Sequence, residues 1–208
     1  MFLVTGATGG LGRRIVRLLR EREQPIRAFV KLTSRYGELE HRGAEIFIGD
    51  LLEERDIQKA CQGVRYVISA HGSNASSRGG AQALDYRANI DLIDAAKAAG
   101  VAHFVFISVL GADRGYEDAP VFKAKWAVEQ YLRNSGLNYT ILRPSGFASN
   151  CGASLGCRYR RGRNRRRRGR RWFRGWQKRI SIQIAHHFIC RLIALVNQIA
   201  EHIVQNVG

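Results

Sequence analysis

The chain has 208 residues, 45% of them hydrophobic, and a formal net charge of +17. That length suits one packed domain, and the absence of an uninterrupted apolar run of spanning length argues against a transmembrane helix. Cys61, Cys151, Cys157 and Cys190 form no C-x-x-C pair, which argues against a disulfide framework and against a zinc site, so no metal is expected.

The charge is uneven. Residues 1–150 carry 20 Lys and Arg against 16 Asp and Glu, whereas residues 151–208 carry 14 against Glu201 alone. Such a balance usually points to nucleic acid or an anionic membrane, but here it points there only through the tail. Met1 leads directly into an apolar run with no basic leader, so a secretory signal is not expected and a reducing cytoplasm is the expected compartment.

In chain order, Phe2–Thr5 reads as a buried strand ending in glycines, and residues 10–22 space Leu11, Ile15, Val16, Leu18 and Leu19 as a helix. Ile26–Val30 and Ala44–Ile48 read as strands two and three. Residues 53–62 form a short helix with Gly63 beyond its end. Tyr66–Ala70 is a fourth strand, and residues 72–80, rich in Gly, Ser and Asn, form a loop. A long helix over 83–99 precedes a fifth strand, Val101–Ser108. A helix within 119–134 precedes a sixth, Tyr139–Leu142, stopped near Pro144. This alternation predicts an α/β fold, a Rossmann-type doubly wound parallel sheet with helices on both faces. Residues 1–150 would form that domain, 151–179 an Arg-rich, disordered segment, and 180–208 an amphipathic helix.

Thr5-Gly-Ala-Thr-Gly-Gly-Leu-Gly12 sits between the first strand and first helix. A pyrophosphate needs a tight turn, close backbone approach and N–H donors at a helix start. Gly6 can supply the turn, Gly9 clears the phosphates, and Gly12 lets helix meet strand. Thr8, Gly10 and Leu11 complete the candidate loop. The alternative is a glycine turn that binds nothing.

The turn resembles the T-G-A-T-G-x-x-G signature of the atypical short-chain dehydrogenase/reductases, the NmrA-like NAD(P)-binding family. Gly49-Asp-Leu51, Asp85-Tyr-Arg-Ala-Asn89, His103–Ser108 and Ser135–Pro144 match in order. The resemblance covers residues 1 to about 150 and is closest to cyanobacterial and chloroplast members, some of which are photosystem assembly factors. It implies a nicotinamide dinucleotide ligand and an oxidoreductase, or a non-catalytic assembly or redox-sensor protein, with a small-molecule or protein partner that the sequence does not name. It also implies that Asp50 and Leu51 border the adenine, and that Ser69, Ala70 and His71 lie where the sheet meets the ribose. The plainer readings are that Asp50 caps the helix starting near Glu53 and that His71 is a solvated loop histidine.

An NAD site places an acid after the second strand, but here the position holds Lys31. With Arg13 and Arg35 nearby, this predicts NADP(H), with NAD(H) the lesser alternative. Reductases of the broader family use Ser, Tyr and Lys, with the Tyr four residues before the Lys. Ser108 and Lys125 match and are the catalytic candidates, and the resemblance implies that Lys125 binds the nicotinamide ribose even without the Tyr, although each could be merely structural. The Tyr position is Val121, and Tyr116 is a weak substitute. Asn89 resembles a family position that shapes the central helix.

After Arg143-Pro-Ser-Gly-Phe147 the family pattern stops, and residues 158–179 hold 12 Arg and one Lys. Three readings of the tail stay open: a frameshifted or truncated reading frame, a nucleic-acid arm in which Trp172, Phe173 and Trp176 stack on bases, and a membrane-surface anchor ending in the helix 180–204. His186, His187 and Cys190 lack a fourth ligand for a metal. The oligomeric state is open.

Overall fold

The structure, a computed structural model, describes residues 1–74, 77–115 and 119–144. All of these fall within one unit, Met1–Pro144. The tail expectations and Tyr116 lie outside the described residues.

Six strands, β1 (Phe2–Thr5), β2 (Ile26–Val30), β3 (Glu45–Ile48), β4 (Tyr66–Ser69), β5 (His103–Ile107) and β6 (Tyr139–Leu142), form one sheet in the order β3-β2-β1-β4-β5-β6. Every pairing is parallel. Burial follows position in the sheet. Central β1 and β4 are buried along their whole length, whereas edge β3 exposes Glu45 and Ile48, as an apolar run sandwiched between helix layers should differ from an edge. Arg27 ties the β3 edge down. Its guanidinium donates to Glu45 at 2.6 Å and to the Ala60 and Gln62 carbonyls.

Helices α1 (Gly10–Arg20), α2 (Gly37–His41), α3 (Glu54–Cys61), α4 (Ala88–Ala98) and α5 (Pro120–Asn134) cover the sheet. Side chains alternate along each strand. Leu3, Phe29, Val67, Phe104 and Phe106 therefore share one face, packed with Ile57, Leu92, Ile93, Val128 and Leu132 of α3, α4 and α5. On the other face α1 packs against β1 and β2 through its buried Ile15, Val16 and Leu19. Cys61 is a buried free thiol, and burial pushes its pKa up to about 12. No described helix is long and apolar enough to cross a membrane.

Two local features differ from the sequence expectation. The segment between β2 and β3, for which the sequence predicts no element, contains α2, whose one buried apolar residue, Leu39, gives no readable period. The helix expected over 83–99 begins as a π-helical turn, Gln82–Arg87, before α4. There the buried Asn89 amide donates to the Leu84 and Asp85 carbonyls, at 3.2 and 3.0 Å, giving a side-chain donor to carbonyls in a wider turn.

Leu92 is fully buried between helix and sheet. Leu92→Ala is expected to cost about 2–5 kcal/mol by lost transfer energy and cavity formation, read as a lowered denaturant midpoint of the full chain. A change well under that range would mean the core collapses around the gap.

Candidate functional site

The strand order reverses between β1 and β4, so their carboxyl ends splay apart, which is where open α/β sheets bind ligands. The first wall of the crevice is the glycine turn. Gly6 follows β1 at φ +67°, and a Cβ there would lie 2.6 Å from the Ala70 carbonyl oxygen. A Cβ on Gly12 would lie 2.1 Å from the Gly6 carbonyl oxygen, so α1 can rest on the turn only as glycine. Gly9 donates to Gly6 O at 3.0 Å and directly precedes α1, whose first turn carries no acid and no side-chain cap. The first N–H groups of that helix thus meet no acidic side chain of their own first turn and no side-chain cap.

A cavity of about 360 Å³ opens beside this turn. Of the candidates expected from sequence, Gly6, Thr8, Gly9, Lys31, Leu51, Ala70 and His71 line it. Gly10, Leu11, Gly12, Arg13, Asp50 and Ser69 do not. Ser69 is fully buried and donates to Asn89 at 2.6 Å. Arg13 donates to the Arg35 carbonyl at 3.2 Å and lies 3.8 Å from Glu38, while its Nε is buried without a partner. Asp50 does not cap α3, whose first flanking residue, Glu53, makes no side-chain cap. Its Oδ1 instead accepts from the Leu52 N–H, and its Oδ2 pairs with Arg78 at 3.3 Å. Ser34, Gly72, Asn74, Ser77 and Leu84 also line the cavity and were not singled out by sequence. Ser34 and Ser77 sit in polar loops that carry no motif.

The two catalytic candidates lie outside the cavity lining. The Ser108 hydroxyl donates to Glu129 at 2.5 Å. Glu129 is buried, and the Arg143 guanidinium holds it through both carboxylate oxygens at 2.8 and 2.6 Å. Burial would raise the Glu129 pKa, but the hydrogen bonds from Arg143 and Ser108 outweigh it and hold the carboxyl below its ordinary range. Lys125 is buried as well, its ammonium 3.3 Å from Asp85, donating to the His71 carbonyl and lying over the Phe106 ring. Burial pushes its pKa down, against the opposing pull of Asp85. Among the described residues no cluster of three His, Cys, Asp or Glu side chains could hold a metal.

The NAD(P)H-binding family profile matches residues 6–170. The chain belongs to the NAD(P)H-binding family. Among curated relatives it is 36% identical to the photosystem II assembly factor Ycf39 of Cyanophora paradoxa, over 70% of this chain and 45% of that protein. It is also 36% identical to the NAD(P)H azoreductase of Xenophilus azovorans, over 72% of this chain and 49% of that one. Among solved structures it superposes on the NADPH-dependent quinone oxidoreductase QOR2 of Escherichia coli, complexed with NADPH, with a TM-score of 0.61 and 29% identity, covering 74% of this chain and 52% of that one. The chain spans about half the length of the curated relatives it matches.

The residues present fit the family's ligand: a glycine turn that any Cβ would close, a helix start free of acid, and a cavity with Lys31 at its rim. His71 adds a neutral polar group. Its Nδ1 lies 2.8 Å from the Thr5 hydroxyl, and its buried Nε2 meets no acceptor in hydrogen-bond geometry, although the Leu84 carbonyl lends a ring proton some support. Burial, reinforced by Lys125, lowers the His71 pKa from 6.5 to about 3. Between those values the unfolded chain binds the proton and the folded chain does not, so stability falls as the pH drops from 6.5 toward 3. The slope from this one group is at most about 1.4 kcal/mol per pH unit. His71→Gln is expected to flatten the dependence of the denaturant midpoint on pH in that window. An unchanged profile would mean that His71 is protonated in the folded chain.

Proposed function

We propose that the domain binds NADP(H), in preference to NAD(H), in the crevice at the carboxyl ends of β1, β2 and β4. The observation that carries this reading is the charge of the cavity wall. Among the described residues that line it, Lys31, exposed directly after β2, carries a charge and none is acidic. An acid at the end of β2 would accept from the ribose hydroxyls of NAD(H), whereas an ammonium there favours a 2′-phosphate. The turn Gly6–Gly12 and the start of α1 would hold the pyrophosphate, Leu51 would border the adenine, and His71 would offer a neutral ring toward the ribose. When bound, the cofactor supplies a hydride, and the chain's own residues hold and orient it. Arg13 supports the site at one remove, by holding the Arg35–Glu38 segment.

A second reading concerns what the cofactor is for. The position four residues before Lys125 is Val121, which has no exchangeable proton, and Ser108 directs its hydroxyl proton to Glu129. Lys125 is engaged by Asp85 and the His71 carbonyl. This arrangement favours a protein that keeps the dinucleotide as a structural or sensing ligand, as in an assembly factor, over a reductase that donates a proton from Tyr.

Thermal unfolding with each cofactor tests the first reading, because a ligand bound to the native state alone raises the midpoint. NADPH is expected to raise it more than NADH. Lys31→Ala is expected to weaken NADPH binding about tenfold, roughly the worth of one charge-assisted bond, and to leave NADH within about twofold. Equal shifts from both cofactors in the unsubstituted chain would overturn the preference. For the second reading, NADPH is expected to bind but not to be consumed in the presence of quinone or azo acceptors. Steady consumption by the purified chain would establish a reductase instead.

A further inference from the structure

Asp85 is 1% exposed and does not line the cavity, yet both of its carboxylate oxygens act on the loop that does. Its Oδ2 accepts from the Ser73 N–H at 3.0 Å and from the Ser73 hydroxyl at 2.5 Å. Its Oδ1 lies 3.3 Å from the Lys125 ammonium, which in turn donates to the carbonyl of His71. A Cβ added at Gly72 would lie 3.1 Å from the same Oδ1, so the loop backbone rests directly on the carboxylate. His71, Gly72 and Asn74, on either side of Ser73, are cavity wall.

A buried ion pair of this kind is a weak source of stability, because desolvating both charges offsets most of their attraction. What the pair supplies here is geometry. The π-helical turn Gln82–Arg87 brings Asp85 inward, α5 brings Lys125, and the loop after β4 is fixed between them.

We propose that Asp85, acting through Ser73 and Lys125, is a positioning residue for the cofactor, fixing the His71–Asn74 wall in its binding geometry. Lys125 is on this account a second positioning residue. The inference rests on the NADP(H) reading above.

The test measures NADPH dissociation constants by calorimetry, and unfolding midpoints, for the full chain and four variants: Ser73→Ala, Asp85→Asn, Lys125→Met and the double Asp85→Asn/Lys125→Met. Ser73 neither lines the cavity nor belongs to the ion pair. Ser73→Ala is therefore expected to weaken NADPH roughly fivefold, the scale of one lost hydrogen bond, with little change in midpoint. Each single charge variant strands a buried charge and is expected to lower the midpoint. The double variant removes both charges, so its midpoint is expected to recover while its NADPH affinity stays weakened. A merely structural pair would restore both together. If the unsubstituted chain binds NADPH and both Ser73→Ala and the double variant bind it equally well, this inference is overturned alone. If the unsubstituted chain does not bind NADPH, the cofactor reading fails and this inference with it.

Discussion

The structure depends on backbone meeting backbone at the end of β1. Gly12 brings α1 onto the Gly6 carbonyl, and Gly6 brings the turn onto the Ala70 carbonyl, at separations that leave no room for a methyl group. The second contact spans the register pair Thr5↔Ser69, so the turn after β1 and the loop after β4 are built against each other. The crevice between them is therefore set by main-chain geometry and does not rely on long side chains for its shape. Long side chains enter only around the mouth, where Lys31 lies.

The interior behind this turn holds two buried charge clusters with different roles. Arg143, Glu129 and Ser108 connect the end of β6, helix α5 and the end of β5, with Arg143 also reaching Asp113 and lying over the Trp126 ring. This cluster anchors the β6 side of the sheet, away from the cavity lining. Asp85 and Lys125 connect α5 and the π-helical turn to the loop after β4, beside the cavity. Helix α5 contributes to both clusters, with Lys125 and Glu129 four residues apart and so on neighbouring positions of one face. The cofactor-side loop and the β6 end of the sheet are thus tied to one helix.

Much of the fold was legible because its signals are periodic or stereochemical. Buried strands read as apolar runs, α1 and α5 read at helical spacing, and the glycine turn read through its spacing between strand and helix. The cavity wall was legible where it followed from that turn or from the ends of strands, as at Gly6, Gly9, Lys31 and His71. It was not legible at Ser34, Ser77 and Leu84, whose place depends on how loops and the π-helical turn fold back. Asp85 shows the limit most clearly. In sequence it opens a segment that matches the family but carries no readable role, and only a widened turn, a lysine forty residues later and a serine twelve residues earlier give it partners. The polarity of Ser108 and Lys125 was readable, but their partners were not, because Glu129 and Asp85 reach them through tertiary packing.

That distinction bears on chemistry. Family position alone places Ser108 and Lys125 with the reacting groups of a reductase. Their hydrogen bonds place both in buried interactions within the protein. The Ser108 hydroxyl donates to a carboxylate held by Arg143, Lys125 is paired with a buried aspartate, and Val121 stands at the position of the family's Tyr. The crevice beside them is lined instead by the glycine turn, Lys31 and the loop after β4.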